Sequence, residues 1–145
     1  MTLDDWRKSS WLVEHKAKPE DIRALFSVAD RELADSRIPG LSTDGRFNHA
    51  YNAALQAAAA ALAASGYRAA QGSHHHMIIQ SLARTIGADA GTVGKLDRFR
   101  KKRNTAEYEM AGGVTDLEAK EMVDLAARLR KDVEGWIRLK HSDLV

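Results

Sequence analysis

A helix-forming pattern fills residues 42–66, which read STDGRFNHAYNAALQAAAAALAASG. Ser42, Thr43 and Asp44 are candidate N-cap residues, and Gly66 is a candidate terminator. Between these ends, nine of the twelve residues from 53 to 64 are Ala, and larger apolar residues recur at helical spacing. Ala is the best helix former, and its small side chain also lets two helices approach closely. The segment therefore predicts one long helix, and either property of Ala explains its composition.

One further helix is predicted on each side of this segment. Pro19 is well placed as a first helical residue, since the acidic pair at 20–21 follows it in the positive N-terminal turn. This helix should end before Pro39, which cannot continue it. On the other side, Ser73 can cap a shorter helix that runs through Ile86.

Two more helices are predicted in the last third of the chain. The first follows a glycine-containing segment and runs from Lys95 to about Met110. Thr115, with Glu118 three residues later, forms a capping box for the second. The apolar residues that follow make this last helix amphipathic over about six turns.

The predicted architecture is all-α. No stretch of the chain alternates apolar and polar residues with the Val, Ile and Thr enrichment that is typical of a strand. Four to five helices with short connections predict an up-and-down antiparallel helical bundle. We therefore divide the 145 residues into an N-terminal arm or short helix at 1–18, which carries Trp6 and Trp11, and a single bundle at 19–145.

The composition excludes several classes of function. The chain has no Cys, which excludes thiol catalysis, thiolate zinc sites and disulfide scaffolds. Its first twenty residues contain no apolar signal-peptide stretch, and no apolar run approaches the roughly 20 residues of a membrane helix. We expect a cytoplasmic protein that does not span a membrane and that uses no cofactor.

The net charge of +2 hides one concentrated basic segment. Residues 95–103 read KLDRFRKKR and carry a local net charge of +5, which leaves −3 for the other 136 residues. Such a concentration favours an anionic partner such as nucleic acid. A basic run on a helix is also typical of a solvated face with weak ion pairs, for example Arg103 with Glu107.

Arg103 occupies an unusual place in this segment. At 100° per residue it lies in the middle of an apolar stripe that is formed by Leu96, Phe99, Ala106 and Met110. Arg stays charged at biological pH, so an Arg that points toward a core or an interface needs a carboxylate, carbonyl groups or a phosphate. Asn104 and Tyr108 lie on an adjoining face, although Tyr108 by itself would be an ordinary packing residue.

These residues resemble a known family. The run RNTAEY at residues 103–108, after the basic helix and before Gly112, Gly113 and a capped last helix, resembles the HEPN superfamily, the higher eukaryote and prokaryote nucleotide-binding domains. The run FNHAYNAA at residues 47–54 is similar to the Ala-rich and aromatic-rich helix of those domains, and the similarity covers about residues 19–140. The family motif is an Arg, usually a polar residue after it, and a His four to six positions beyond the Arg. Arg103 and Asn104 match this motif, whereas Tyr108 stands at the position of the His.

The resemblance implies a HEPN-like bundle that forms a homodimer and binds the phosphate of RNA or of a nucleotide. Active members of the family are thought to cleave RNA without metal, with the Arg on the phosphate and the His in proton transfer. A Tyr with a pKa of about 10 is a poor base at neutral pH, so phosphate binding survives this substitution better than cleavage does. The resemblance also implies a toxin-antitoxin module and a minimal nucleotidyltransferase as a partner.

The predicted residues for phosphate and RNA binding lie on the basic helix, and they are Arg98, Arg100, Lys101, Lys102, Arg103, Asn104 and Tyr108. In HEPN bundles the second helix packs near the motif helix, which makes three polar residues possible neighbours of the site, namely Asn48, His49 and Asn52. The consecutive residues His74, His75 and His76 point about 100° apart on a helix and cannot converge on one ion, so we predict no metal site.

Two alternative functions are compatible with the same residues. One is a metal-independent ribonuclease with Arg103 and Tyr108 as catalytic residues. The other is a noncatalytic dimeric interaction protein, in which Arg103 forms a buried ion pair with Asp124 or Glu121 of the last helix across the dimer interface. Loss of one member of such a pair would cost about 3 to 5 kcal/mol of stability.

Overall fold

The computed structural model describes residues 1–71, 74–108 and 113–145, with the backbone alone at 105–108. Three predictions fall outside the described residues. They are the Ser73 cap, the Arg103–Glu107 pair, and the continuation of the apolar stripe through Ala106 and Met110. The side chain of Tyr108 also lies outside them.

Six helices dominate the described residues and confirm the predicted all-α class. They are α1 (Leu3–Lys8), α2 (Pro19–Asp35), α3 (Thr43–Ala64), α4 (His74–Ser81), α5 (Ala90–Tyr108) and α6 (Asp116–Lys140). Two short strands, β1 (Leu12–Glu14) and β2 (Tyr67–Ala69), form one sheet, and a 3-10 turn at Ser142–Leu144 follows α6. None of the helices in the described part of the chain is long and apolar enough to cross a lipid bilayer.

The central helix of the fold is α3. It begins where the sequence predicts, because the Ser42 hydroxyl accepts a hydrogen bond from the Gly45 amide at 3.0 Å. It ends before Gly66, whose φ of +96° is in the left-handed region that glycine adopts without strain. Both α2 and α6 pack along α3, and most of its Ala side chains are buried. Close packing is therefore one reason for the Ala tract.

The helices α3 and α6 run in the same direction, and α2 runs opposite to both. At the start of α3, the Thr43 hydroxyl donates a hydrogen bond to Asp116 at the start of α6, at 2.6 Å. Toward their other ends, Ala61 and Val133 lie in one buried apolar cluster, which also contains Ile22 from the first turn of α2. The short α4 and the longer α5 connect the end of α3 to the start of α6.

The N-terminal segment packs on the helices through the small sheet, which the sequence pattern did not predict. β1 and β2 pair antiparallel, with Leu12 opposite Ala69. Trp6 and Leu12 are buried in the same apolar cluster as residues of α3, and the Arg84 guanidinium lies 4.7 Å from the centre of the Trp6 ring. Strands of three residues are too short to show the alternation by which a strand is recognised.

The start of α5 differs from the prediction. The helix begins at Ala90 rather than at Lys95, because the Asp89 side chain accepts a hydrogen bond from the Thr92 amide at 2.7 Å. The glycines at 91 and 94, which suggest a loop in the sequence, are inside the helix. An early start adds more than one turn to the face that α5 presents to the rest of the bundle.

Of the neighbouring helices, α6 begins where the sequence predicts, whereas α4 ends earlier than predicted. α4 ends at Ser81 rather than at Ile86, and the residues between them form turns. The capping box of α6 is confirmed, since the Thr115 hydroxyl accepts from the Glu118 amide at 3.1 Å and the Glu118 carboxylate accepts from the Thr115 amide at 3.0 Å. This box fixes the start of α6 beside the basic helix α5.

Candidate functional site

The candidate site lies where α3, α4 and α5 meet, and its centre is Arg103 of α5. The guanidinium carbon of Arg103 is 5.2 Å from the centre of the Tyr51 ring on α3, and Tyr51 is fully buried. On the same side of α5, Leu96 and Phe99 are buried, and the Phe99 ring meets the Phe47 ring edge to face at 5.4 Å. Within the described residues, Arg103 therefore lies on the buried side of α5, together with Leu96 and Phe99, as predicted. The cation is held against an aromatic face, an arrangement that stabilises a guanidinium.

A hydrogen bond joins Tyr51 to the next member of the site, His75 of α4. The Tyr51 hydroxyl lies 3.2 Å from Nδ1 of His75. Burial raises the pKa of Tyr51 to about 12, although the nearby guanidinium groups of Arg103 and Arg100 act in the opposite direction. Tyr51 is therefore a protonated phenol at neutral pH. It can donate to Nδ1 of His75 and leave the proton of a neutral imidazole on Nε2.

His75 is favoured in its neutral form by its surroundings. Burial lowers its pKa, and the positive charges of His74, Arg103 and Arg100 lower it further. A half-buried imidazole that is neutral at physiological pH can accept a proton or ligate an electrophile, whereas an imidazolium cannot. The structure thus places a potential base beside a permanent cation.

Asp97, the single acidic residue of the basic run, organises the outer part of the site. Its Oδ1 accepts a hydrogen bond from Nε of Arg100 at 2.8 Å and lies 3.2 Å from Nδ1 of His76. The Lys101 ammonium is 3.7 Å from its other oxygen. Burial raises the pKa of Asp97, but the hydrogen bonds from Arg100 and His76 outweigh this effect and hold it below its usual value. Asp97 is therefore a carboxylate that orients two potential ligands of a phosphate.

Two lysines of the basic helix are committed to α6. The Lys102 ammonium lies 3.0 Å from the Glu118 carboxylate, and the Lys95 ammonium lies 3.3 Å from the Glu121 carboxylate. These pairs hold α5 against α6 and offset two of the positive charges of residues 95–103. Arg98, in contrast, is exposed and makes no ion pair within the described residues.

One other predicted site residue on α5 is exposed, and the carboxylates that were predicted to pair with Arg103 pair with lysines of the same chain. Asn104 is exposed one residue beyond Arg103. The carboxylates that were proposed as partners of Arg103 have other partners within the chain, because Glu121 pairs with Lys95 and Asp124 pairs with Lys120 at 2.9 Å.

One of the three polar residues of α3 that were predicted as possible neighbours of the site has its partner on another helix. His49 turns toward α2, where its Nδ1 lies 2.7 Å from the Glu32 carboxylate. Asn48 and Asn52 are half-buried and make no side-chain hydrogen bond within the described residues. Tyr51, which no sequence signal singled out as a site residue, contacts Arg103.

Two of the three consecutive histidines contact different side chains, as expected from their angular spacing on a helix. His75 contacts Tyr51 and His76 contacts Asp97, while the His74 ring lies 5.6 Å from that of His75. The sequence predicts no function for them. Helical periodicity cannot reveal such a site, because its side chains come from three different helices.

Together these side chains can bind an oxyanion and exchange a proton with it. Arg103 and Arg100 supply guanidinium groups, His75 supplies a neutral imidazole, and the Tyr51 and Asp97 side chains orient them. Guanidinium groups donate pairs of parallel hydrogen bonds that match the geometry of a phosphate. Comparison of the chain with protein-family models, with curated proteins and with solved structures finds no match.

Proposed function

We propose that the chain binds the phosphate groups of RNA or of a nucleotide at the cluster of Arg100, Arg103 and His75. The observation that carries the proposal is the contact of Arg103 with the buried Tyr51, which holds a permanent cation beside an imidazole. A guanidinium that is stacked on an aromatic ring loses little conformational entropy when it binds an oxyanion. A phosphate that approaches this cluster meets fixed donors rather than mobile side chains.

The distribution of charge supports the same function. Residues 95–103 carry a net charge of +5 against −3 for the other 136 residues, and cancelling the pairs of two of their lysines with Glu118 and Glu121 leaves +3 and −1. Arg98 is a further exposed cation on α5, about 140° around the helix from Arg103. A concentrated positive surface on an otherwise acidic protein attracts a polyanion and orients it as it approaches.

The resemblance to HEPN domains adds detail to the proposal. Arg103 and Asn104 would be the motif residues, and Tyr108 would take the place of the motif His. In this proposal the chain forms a homodimer and belongs to a toxin-antitoxin or nucleotidyltransferase-associated module. The imidazole that the motif lacks is then supplied from α4 by His75.

The proposal is tested by the binding of a labelled single-stranded RNA, measured by fluorescence anisotropy at 50 and 200 mM salt. If about three phosphates are contacted, the slope of log K against log salt is about −2, and affinity falls about 20-fold between the two concentrations. Arg103→Ala should weaken binding at both concentrations and reduce the slope by about 0.7. The matched control is Arg23→Ala, which removes an exposed Arg from α2, and its affinity should equal that of the wild type.

Two outcomes contradict the proposal. One is the absence of RNA binding and of nucleotide binding at 50 mM salt. The other is an equal loss of affinity in the Arg103 and Arg23 variants, since this would show that only the total charge matters. Far-ultraviolet circular dichroism of each variant establishes that its helices are intact.

A second candidate function is metal-independent ribonuclease activity, and the neutral state of His75 favours it. His75 would accept the proton of a ribose 2′-hydroxyl while the 2′-oxygen bonds to the adjacent phosphorus and the 5′-oxygen leaves with a proton from an acid or from solvent. Arg103 would stabilise the charge that develops on the phosphate. Incubation of the same RNA in excess EDTA separates the two functions. Cleavage that is lost in both His75→Gln and Arg103→Ala supports the enzyme, and intact RNA supports binding alone.

A further inference from the structure

A second cluster of polar side chains lies between α2 and α3, on a different face of α3 from Tyr51. Glu32 and Asp35 of α2 and His49 of α3 each offer one ligand atom, and these three atoms lie within 4.8 Å of one another. The closest pair is Nδ1 of His49 and one oxygen of Glu32, at 2.7 Å. All three residues are partly buried, and the Glu32 side chain is only 13% exposed.

The charges at this position are the reverse of those that a helix end favours. Glu32 and Asp35 lie in the last turn of α2, which contains no basic residue. The C-terminus of a helix carries a partial negative charge, so carboxylates there are unfavourable and cations are favourable. Within the described residues, the Asp35 carboxylate makes no hydrogen bond or ion pair. The largely exposed Arg31 contacts the cluster through Glu32, at 3.3 Å.

The three side chains offer ligand atoms of two kinds. Glu32 and Asp35 supply carboxylate oxygens and His49 supplies an imidazole nitrogen, and transition-metal ions accept both kinds.

The cluster is also held in place before any ligand arrives. Arg46, one turn before His49 on α3, donates hydrogen bonds to the carbonyl of Ser36 at 2.7 Å and to the carbonyl of Ile38 at 3.3 Å. These bonds fasten the end of α2 to α3. Ser36 is fully buried, and its hydroxyl donates to the Leu33 carbonyl at 2.6 Å. The three ligands therefore lie on two helices that are fastened to each other, as a preorganised site requires.

We propose that Glu32, Asp35 and His49 form a binding site for one divalent transition-metal ion, for which Zn²⁺ is the probe. One imidazole nitrogen and two carboxylate oxygens are ligands that Zn²⁺ accepts, at bond lengths of about 2.0 to 2.2 Å. In a tetrahedral site such bonds place the ligand atoms about 3.3 Å apart. Metal binding would open the 2.7 Å contact between His49 and Glu32 slightly and would bring the Asp35 oxygen, now within 4.8 Å of both, to the same spacing. The fourth position is left for water, and the site is independent of the phosphate-binding function proposed above.

The test is calorimetric titration of the chain with ZnCl₂, in parallel with two ligand variants, Asp35→Asn and His49→Gln. We expect one Zn²⁺ per chain at this site and a loss of affinity of about tenfold or more in each variant. His141→Gln is the matched control, since His141 follows the end of α6, and it should bind Zn²⁺ as the wild type does. His74→Gln tests the consecutive histidines as a rival site and should also leave this binding unchanged.

Thermal unfolding provides an independent readout. Zn²⁺ should raise the melting temperature of the wild type but not that of Asp35→Asn, because only a ligand that binds the folded state stabilises it. Without metal, Asp35→Asn should melt no lower than the wild type, since it removes an unfavourable charge from a helix end. The proposal is overturned if the wild type binds no Zn²⁺, if Asp35→Asn and His49→Gln bind it as tightly as the wild type, or if binding is lost in His74→Gln instead.

Discussion

Replacement of Asp97 by Asn tests whether this carboxylate organises the candidate site. The substitution keeps the size and shape of the side chain and removes its negative charge. In the structure, the carboxylate accepts a hydrogen bond from Arg100 at 2.8 Å and lies 3.2 Å from His76, and the Asp97 side chain is only 14% exposed. The amide side chain of the variant would retain one acceptor but would face cationic groups without a compensating charge.

The size of the effect follows from these contacts. A hydrogen bond to a charged group contributes about 1.5 to 3 kcal/mol, and the Lys101 pair adds little because that ammonium is exposed. We expect a loss of about 2 kcal/mol in the free energy of unfolding at pH 7. For a chain of this length, that loss lowers the melting temperature by about 4 to 8 °C.

The stability difference between the wild type and Asp97→Asn should depend on pH. The pKa of Asp97 is held below its usual value of 3.8, so its contribution to stability is present above that value and is lost as the pH falls through the lower, folded-state pKa. Urea unfolding of the wild type and of Asp97→Asn should therefore differ at pH 7 and converge at acid pH.

The matched control for this experiment is Asp124→Asn. Asp124 forms an exposed pair with Lys120, and its loss should change the unfolding free energy by less than about 0.5 kcal/mol. The assigned role of Asp97 is refuted if the two variants have equal stability at pH 7, or if the difference between Asp97→Asn and the wild type is the same at both pH values.

Two further predictions concern the packing of α3. Ala60→Leu inserts a larger side chain at a fully buried position between α3 and its neighbours, and it should lower the free energy of unfolding by about 1 to 3 kcal/mol in urea titrations. An exposed counterpart, Ala83→Leu, should leave stability nearly unchanged. Gly66→Ala places a Cβ in open space at a φ of +96°, so a loss of about 1 kcal/mol in thermal unfolding would come from backbone strain alone. Wild-type stability in that variant would show that the C-terminal end of α3 relaxes.

The sequence predicts the helices best where a chemical signal marks their ends. Ser42 before α3, Pro19 at the start of α2 and the Thr115 capping box of α6 are local signals, and the structure contains all three. The errors arise where tertiary packing overrides such signals. Glycines at 91 and 94 are tolerated inside α5, and β1 and β2 form because two extended segments meet.

The candidate site could also be predicted only in part from the sequence. Helical periodicity places Arg103 on the buried side of α5, because that inference needs only the angle between residues on one helix. Periodicity cannot identify the residue on another helix that Arg103 meets. Tyr51, His75 and Asp97 come together only once α3, α4 and α5 are packed, and the contacts of His49 with α2 are equally hidden in the sequence.

The central position of α3 fixes its register as well as its packing. His49 and Tyr51 are two residues apart, which separates them by about 3 Å along the axis and about 200° around it. His49 contacts α2 and Tyr51 contacts Arg103 of α5. Insertion or deletion of one residue between them would turn one contact away by about 100° while the other stayed in place. Homologous chains that keep both contacts should therefore vary in the loops on either side of α3 and never in the number of residues between these two side chains.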